Sequence, residues 1–365
     1  MFQLYRSPLP AALTDRWQAR WEANQAAIKG FDHPQLHLRW LALVATVRPA
    51  TELAVWRIPS TGDCFFAFER RKPKHAVPIG GILTDRHAIL TPPAGLPAAG
   101  VLELLRHCGL ETWSFDHLPS IQSALQPFTN QIDPAYTIRL PQGADKYFEQ
   151  LAVRHRNWCE QQRRKRRKLE RELGTLRFEL HQADPHALQA LIDWKEQQLI
   201  RQGIYNCYRE GWVRELLYQT MQTQSEGFSG CLSCLYAGDE LIATLLGQRS
   251  GTVFNAWIPS YQPSRGSYSP GTILQLELIR KLAAEGIQQI DLGRGHNPLK
   301  AKLANHLDHL AIGIVDRRPW RNRVRKFLRR SIHAWEATYL GSSTLNISRK
   351  MKHRFRNARF QASDG

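Results

Sequence analysis

Residues 268–305 read YSPGTILQLELIRKLAAEGIQQIDLGRGHNPLKAKLAN, and this stretch decides the fold. The Ser-Pro-Gly sequence at 269–271 is a strong helix start, because Ser favours the N-cap position and Pro the first helical position. Apolar residues at helical spacing then predict a helix over about 271–285, and IQQIDL predicts a strand over 287–292. A helix followed by a buried strand, a loop and another helix is typical of an α/β fold.

The predicted helix start is also a candidate anion site. The first turn of a helix leaves backbone N–H groups unpaired, and the helix dipole places a partial positive charge there. Gly271 lacks the side chain that would hold a phosphate away from these groups. The alternative is a well-capped helix that binds no ligand.

A second candidate site follows where the predicted strand ends, in the sequence DLGRGH at 291–296. A carboxylate, two cations and an imidazole lie within ten residues of one another: Asp291, Arg294, His296 and Lys300. The end of such a strand is where α/β folds bind ligands. The structural alternative is that Asp291 caps the loop and that Arg294 is solvated. Neither GxxxxGK[S/T] nor GxGxxG is present, which argues against nucleotide hydrolysis and dinucleotide redox chemistry.

Upstream of these sites the sequence predicts an antiparallel meander. Gly238-Asp239 and Ser250-Gly251 are turn dipeptides of the kind that join hairpin strands. The three strands are expected at 229–237, 240–248 and 252–258. Before them the sequence predicts a strand at 177–181 and helices at 186–202 and 212–223.

The first 140 residues predict a second α/β unit. Short apolar runs separated by turn residues indicate strands at 38–47, 52–58, 64–69 and 112–115, and a helix at 98–107. The turn-rich sequence PIGGILTD occupies 78–85. Because both halves of the chain combine strands with a following helix, we expect a duplicated unit.

A basic segment joins the two units. Residues 145–173 contain no Gly or Pro and predict one helix of about 40 Å that ends at Gly174. Residues 154–171 hold nine basic and two acidic residues. Such a helix is either a solvated face or a contact for an anion or a membrane surface.

The remaining positive charge lies at the C-terminus. The 365-residue chain carries a net charge of +18, and residues 317–365 hold fourteen basic and two acidic residues. The rest of the chain is nearly neutral, which argues against a protein coated with nucleic acid. In the tail, Val324, Phe327 and Ile332 recur at helical spacing among arginines. We expect an amphipathic helix that lies on an anionic membrane surface or docks on the protein's own body.

Composition excludes several classes of protein. Hydrophobic residues make up 42% of the chain, which excludes disorder of the whole chain. No stretch is apolar enough to span a membrane, and the first residues lack a signal-peptide core. A cytoplasmic protein is therefore expected, with peripheral attachment to the inner membrane through the tail. The six cysteines lack the spacing of a disulfide framework or a zinc site, so we expect reduced thiols and no metal.

Three segments together resemble a known family: RRKRRKLERELGTLRFEL at 163–180, GDELIATLLGQRSGTVFNAWIPSY at 238–261, and the stretch that begins at Tyr268. In this order they resemble the polysaccharide-biosynthesis branch of the GNAT acyltransferases, the CelD-type proteins. These are similar to the Fem-type peptidyltransferases in having two fused GNAT-like halves. The resemblance covers about 133–314, and PIGGILTD resembles the family's Gly-Gly-x-x-x-Asp segment.

The resemblance implies an α/β (α+β) fold of two fused GNAT-like lobes with mixed, largely antiparallel sheets and a basic helical C-terminal tail. Residues 1–140 would form a degenerate N-terminal lobe, and 141–175 the long basic helix. Residues 176–316 would form the acyltransferase lobe, and 317–365 the tail.

The resemblance also implies a donor, acetyl-coenzyme A or another acyl-coenzyme A, whose pyrophosphate is held by the backbone between Tyr268 and Leu274. The implied donor-binding residues are Ser269, Pro270, Gly271, Thr272, Ile273, Leu274, Arg294 and Lys300. The family commonly has an acidic residue after the second Gly of the DxGxG motif, where this chain has His296. Leu299 stands where the family has a Tyr before the Lys.

Acyl transfer from a thioester needs a base for the attacking group, donors for the oxyanion and an acid for the leaving thiolate. We predict Asp291 or His296 as the base and Tyr261 or Tyr268 as the acid. The predicted acceptor is an amine or hydroxyl of a sugar or sugar-linked precursor in exopolysaccharide, cellulose or cell-envelope polysaccharide biosynthesis. Nucleic acid is not an expected partner of this enzyme.

Two alternatives stay open at this point. The same fold serves an aminoacyl transferase that uses charged tRNA, for which the basic helix would contact the RNA. A non-catalytic, membrane-associated scaffold is the other alternative, because the Tyr of the family motif is missing.

Overall fold

The computed structural model describes residues 1–9, 12–28, 30–59 and 62–318. The expected tail helix therefore lies, from residue 319 onward, outside the described residues. The strands are β1 (Phe2–Arg6), β2 (Thr51–Ile58), β3 (Gly62–Lys72), β4 (His75–Val77), β5 (Ile89–Leu90), β6 (Thr112–Pro119), β7 (Thr129–Arg139), β8 (Leu176–Glu179), β9 (Gln224–Ser225), β10 (Phe228–Ala237), β11 (Glu240–Ser250), β12 (Val253–Tyr261), β13 (Gln289–Arg294) and β14 (His306–Asp316). The α-helices are α1 (Ala12–Ala27), α2 (Leu38–Val47), α3 (Ala98–His107), α4 (Gly143–Arg154), α5 (Arg156–Leu173), α6 (Pro185–Gln202), α7 (Gly211–Gln222), α8 (Pro270–Ala284) and α9 (Pro298–Leu303).

One mixed sheet runs through the described part of the chain. Its strand order is β1-β2-β3-β4-β6-β14-β7-β13-β12-β11-β10-β8, with β5 beside β3 and β9 beside β10. The pairs β12–β13 and β4–β6 are parallel, and the other neighbouring strands pair antiparallel. The predicted α/β class with a mixed, largely antiparallel sheet is confirmed.

The last described strand crosses from one half of the chain to the other. β14 lies between β6 and β7, which both come from the first 140 residues. It pairs with β7 from His306 to Gly313 and with β6 from Leu310 to Asp316. β7 in turn pairs with β13. The two halves are thus parts of one sheet, and the expected domain boundaries stay a prediction.

Hydrophobic cores lie on both faces of the sheet. On one face α1, α2, α6 and α7 share a core in which Trp21 and Phe65 from the first half and Leu217 and Leu246 from the second are buried. On the opposite face α3 covers the first half, and α4, α5 and α8 cover the second. Leu245 packs on that opposite face. Since successive strand residues point to opposite faces, α6 and α8 lie on different sides of the sheet.

One predicted strand is a helix. The residues expected to be a strand at 38–47 form α2, which buries Leu41 and Val44 against the shared core. The His37 side chain starts this helix by accepting a hydrogen bond from the Arg39 N–H. The prediction was wrong because LRWLALVATV is apolar at nearly every position, so its periodicity does not separate a strand from a buried helix.

The basic segment forms two helices, whereas one was expected. α4 ends at Arg154, and His155 leaves helical geometry with φ −140° and ψ 47° before α5 begins. Arg154 donates a hydrogen bond to the Ala304 carbonyl, which ties the end of α4 to the chain just before β14. Both α4 and α5 pack against α8. No residue of this segment is a helix breaker, so the bend comes from packing that the sequence pattern does not contain.

The other expectations for regular structure agree with the described residues. The predicted segments at 52–58, 64–69, 98–107, 112–115, 177–181, 186–202 and 212–223 overlap β2, β3, α3, β6, β8, α6 and α7. The meander is β10, β11 and β12, and the deciding stretch forms α8, β13 and α9. The helix α1 and the strands β1, β4, β5, β7, β9 and β14 were not predicted from the sequence.

Candidate active site

Two neighbouring parallel strands separate in the middle of the second half. β12 and β13 pair from Val253↔Gln289 to Asn255↔Asp291. Beyond that register β12 continues to Tyr261 beside β11, while β13 continues beside β7. The strands therefore open into a wedge whose facing backbone groups do not pair with each other. At its apex the buried Asn255 Oδ1 accepts no hydrogen bond from any described residue.

α8 begins just beyond the end of β12. Pro270 is its first residue, as predicted. Ser269 precedes it as the N-cap residue, as predicted, with φ 57° and ψ 49°, and within the described residues its side chain makes no capping hydrogen bond. The Ser269 carbonyl accepts the N–H groups of Thr272 and Ile273. Among the described residues, no backbone acceptor pairs with the Gly271 N–H.

The helix α5 brings cations to this helix start. Lys165 Nζ donates to Ser269 Oγ at 2.7 Å, and Lys168 Nζ lies 5.4 Å from the centre of the Tyr268 ring. Arg166 pairs with Glu277 of α8 and so fixes the two helices together. The start of α8 thus combines a free amide, a helix dipole and two lysines, which favours a bound anion.

The two tyrosines predicted as acids lie at this end of α8. Tyr268 donates from its hydroxyl to Glu172 Oε2 at 2.6 Å, and this bond raises the pKa of Tyr268. Tyr261 is exposed, and its ring lies 3.3 Å from the position that a Cβ on Gly271 would take. A side chain at position 271 would therefore press on the Tyr261 ring and reduce the open space at the helix start.

Asp291 lies at the wedge apex and is fully buried. Its Oδ1 accepts the Gly293 N–H at 2.7 Å, and its Oδ2 lies 2.8 Å from Arg86 and 3.1 Å from His33 Nε2. Burial opposes ionisation, but the Arg86 guanidinium and His33 outweigh it and hold the pKa of Asp291 well below its usual value. The ionised Asp291 carboxylate therefore holds the Arg86 and His33 side chains of the first half.

His33 has its tautomer set by the backbone. Its Nδ1 accepts the Gln35 N–H at 3.1 Å. The ring proton must then reside on Nε2, the nitrogen that faces Asp291. A residue that precedes the first predicted strand thus reaches the centre of the second half.

The PIGGILTD segment supplies a second carboxyl group, that of the half-buried Asp85. Its backbone N–H donates to Gln35 Oε1. Burial raises the pKa of Asp85, the His117 charge partly offsets this rise, and the charge of Asp291 adds to it. Asp85 and Asp291 thus form a pair of carboxyl groups whose pKa values are pushed in opposite directions, the arrangement that separates an acid or base from a fixed charge.

The other predicted residues of the DLGRGH segment are distributed around this cluster. Arg294 donates to the Asp116 carbonyl at 2.6 Å, and Lys300 Nζ donates to the Arg294 carbonyl at 3.3 Å. His296 is exposed, with Nδ1 2.9 Å from the Tyr136 hydroxyl. Arg294 therefore contacts the first half, whereas the predicted donor contacts at Ser269 to Leu274 lie at the start of α8. The sequence-predicted residues form two groups.

Some residues around Asp291 were not predicted from the sequence. Asp85 was marked only as part of a family segment, and Arg86 and His33 were not singled out. Their only local signal is the Gly80-Gly81 turn ahead of Asp85, where both glycines have positive φ. The contacts of Arg86 and His33 with Asp291 arise from the packing of the two halves, which sequence spacing does not reveal.

The described residues show no metal centre and no membrane span. No group of three or more His, Cys, Asp or Glu side chains in this part of the chain could hold a metal ion. Cys231 and Cys234 pack on opposite faces of the sheet. Within the same ranges, no helix has the length and apolar character needed to cross a bilayer.

Comparison with known proteins agrees with this architecture. Residues 154–301 match the model of an acetyltransferase (GNAT) domain. No curated protein matches the chain. FemX is similar in structure, with 9% identity, a TM-score of 0.55, and coverage of 81% of this chain and 95% of its own. A conserved protein of unknown function from Bacteroides thetaiotaomicron has 12% identity, a TM-score of 0.52, and coverage of 86% of this chain and 100% of its own.

The sheet, the α8 helix and the domain match define a transferase with a GNAT-type fold. The chain is an acyltransferase.

Proposed function

We propose that the protein transfers an acyl group from coenzyme A to an amine or hydroxyl of a sugar or sugar-linked acceptor in exopolysaccharide or cell-envelope polysaccharide assembly. The observation that carries the proposal is the start of α8, where no acceptor of the described residues pairs with the Gly271 N–H and Lys165 is held nearby by Ser269. These groups fit the diphosphate of coenzyme A. The open wedge beside them offers unpaired backbone groups to the amide-bearing arm that carries the thioester.

In this proposal Asp85 is the base. It is half-buried and its pKa is raised by desolvation, so its carboxylate is a stronger proton acceptor than a fully exposed one. Asp291 is less suited to proton transfer, since Arg86 and His33 hold it ionised. His296, beside the Tyr136 hydroxyl, remains the second candidate for the base. Tyr261 and Tyr268 remain candidates for the acid, because both flank the start of α8.

The donor site is tested by binding of acetyl-coenzyme A. We expect acetyl-coenzyme A to raise the melting temperature of the full chain, because it binds the folded state. Lys165→Met should weaken this binding about tenfold, since a hydrogen bond to a charged group contributes roughly 1.5 kcal/mol. Lys281→Met is the matched control, since Lys281 is exposed on α8. No shift at millimolar acetyl-coenzyme A would contradict the donor assignment.

A second candidate function is aminoacyl transfer from charged tRNA. The basic residues of α5 beside the start of α8 favour it, because a row of cations binds a polyphosphate backbone. Steeply salt-dependent binding of tRNA, without binding of coenzyme A, would replace the first proposal with this one.

The proposal places the enzyme in the cytoplasm, with the basic tail of 317–365 on the inner membrane surface. A sugar acceptor linked to lipid would be met there. Flotation with anionic liposomes compares the full chain with a chain of residues 1–318. Equal recovery of the two would remove the membrane contact from the proposal.

A further inference from the structure

The helix α5 carries more basic side chains than its carboxylates can pair. Its three ion-paired arginines are Arg156, Arg166 and Arg171, whose partners include Glu160, Glu170 and Glu172. In the described part of the chain, the basic residues of α5 with no carboxylate oxygen within 4.0 Å are Arg163, Arg164, Lys165, Arg167 and Lys168. These unpaired cations are available to a ligand.

Two of the unpaired cations contact the segment that leads into α8. Lys165 Nζ donates to Ser269 Oγ at 2.7 Å, and Lys168 Nζ lies 5.4 Å from the centre of the Tyr268 ring. Residues three apart on a helix are neighbours on one face. Lys165 and Lys168 therefore lie side by side along α5, just as Ser269 and Tyr268 follow each other along the chain.

Arg164 extends this row of cations. It lies four residues before Lys168, which places it one turn away on the same side of α5. Arg164 and Lys168 are both exposed, whereas Lys165 is half-buried. The carboxylate of Glu172 is already held by the Tyr268 hydroxyl at 2.6 Å and by Arg171 at 3.2 Å. A second anion can therefore approach Lys168 and Arg164 from the solvent.

The proposed donor has two separate anionic groups. The diphosphate of coenzyme A fits the Gly271 N–H and Lys165, which leaves Lys168 and Arg164 without an anion. Across the ribose from the diphosphate, coenzyme A carries a phosphate monoester, whose charge at pH 7 is about −1.5 to −2. Charge-assisted hydrogen bonds from a lysine and an arginine suit such a phosphate.

We propose that Lys168 and Arg164 bind the ribose 3′-phosphate of coenzyme A, while Lys165 and the Gly271 N–H bind its diphosphate. The inference rests on the proposed acyl transfer and deepens it. It makes α5 the element that selects coenzyme A over nucleotides and thioesters that lack this phosphate.

The test compares coenzyme A with dephospho-coenzyme A, which differs from it by the 3′-phosphate alone. Calorimetry at constant ionic strength measures the binding of both compounds to the full chain. We expect the wild-type protein to bind coenzyme A about tenfold more tightly than dephospho-coenzyme A. Lys168→Met and Arg164→Met should each reduce this preference to about threefold or less, because each removes one of two phosphate contacts. Their affinity for dephospho-coenzyme A should stay unchanged, and Lys168→Arg should keep the preference.

Arg163→Met is the matched control on the same helix. Arg163 is exposed and lies about 140° around α5 from Lys168, so its removal should keep the wild-type preference. An equal loss in Arg163→Met would show a diffuse attraction to all of α5 and overturn the phosphate site.

Equal binding of the two compounds to the wild type, or a full preference in both Lys168→Met and Arg164→Met, would also overturn this site. The proposed donor would remain in either case, because coenzyme A still binds. If the wild type binds neither compound, the donor proposal itself fails, and the phosphate site fails with it.

Discussion

The half-buried Asp85 and the buried Asp291 are two neighbouring carboxyl groups with opposite tendencies to hold a proton. Asp291 faces Arg86 and His33 and stays ionised. Asp85 has no such guanidinium contact within ion-pair distance among the described residues, and burial favours its neutral form. A proton moved within this cluster would therefore go to Asp85 before Asp291.

Asp85→Asn is expected to lower kcat for thioester cleavage about 100-fold, the usual contribution of a general base, while acetyl-coenzyme A still binds. In the wild type kcat should rise with pH as Asp85 loses its proton, with a midpoint above the ordinary Asp value, because its pKa is raised. Asp239→Asn, in the exposed turn between β10 and β11, is the control. A variant at Asp85 that keeps more than half of the wild-type rate would refute the role.

The lowered pKa of the buried His87 makes the free energy of unfolding depend on pH in the acid range. Burial lowers the pKa of His87 to about 3, so the unfolded chain takes up a proton near pH 6.5 that the folded chain does not accept. Stability from this group is therefore complete above about pH 6.5, and it falls by about 1.4 kcal/mol per pH unit down to about pH 3. Urea denaturation from pH 7 to 4 should show a shallower loss for His87→Asn than for the exposed control His309→Asn. Equal slopes would contradict the prediction.

At the scale of elements, close backbone contacts set the distance between a helix and the strand that it packs on. On β10, a Cβ on Gly230 would lie 1.8 Å from the Thr220 carbonyl oxygen at the end of α7. Gly230 thus lets α7 approach the strand directly. By contrast, a Cβ on Gly211 at the start of α7 meets nothing within 4 Å.

Gly230→Ala is expected to lower the free energy of unfolding by about 3 kcal/mol, because the rigid backbone of α7 must move away from β10. Gly211→Ala is the matched control and should change stability by less than about 1 kcal/mol, in the stabilising direction. Chemical denaturation of both variants measures the difference. Similar stability of the two variants would show that α7 can shift at little cost.

An element can be predicted from the sequence when a short motif within a few residues marks it, and not when it depends on contacts between distant positions. The turn dipeptides, the Ser-Pro-Gly helix start and the DLGRGH segment are local, and they located the meander, α8 and β13. The buried run at 38–47 has no useful periodicity, and it forms α2. The contacts of Arg86 and His33 with Asp291 join positions far apart in the chain. Local spacing contains no information on such pairs.

At the scale of the whole molecule, β14 holds the two halves together. It fills the gap between β6 and β7, and Gly313 lets it pass close to Phe115, whose ring would lie 2.3 Å from a Cβ at that position. Without β14, β6 and β7 would each keep an unpaired edge inside the sheet. The first half therefore depends on a strand that comes late in the sequence.

A chain of residues 1–303, which lacks β14, is expected not to fold cooperatively. A chain of residues 1–318 keeps every described strand and should unfold in a single transition with the wild-type midpoint. Circular dichroism during thermal unfolding separates the two outcomes. Cooperative unfolding of the shorter chain would mean that the halves fold independently and that β14 only fills a gap.

The position of β14 also affects synthesis on the ribosome. Most of the first half leaves the exit tunnel long before residues 306–316 are translated. At ordinary elongation rates of about 5–20 residues per second, the backbone N–H and C=O groups of β6 and β7 that pair with β14 therefore stay without this partner for many seconds. Nascent chains are then exposed to chaperones and to pairing with one another. Slowing translation within the second half should increase aggregation of newly made protein, although the mature enzyme is unchanged.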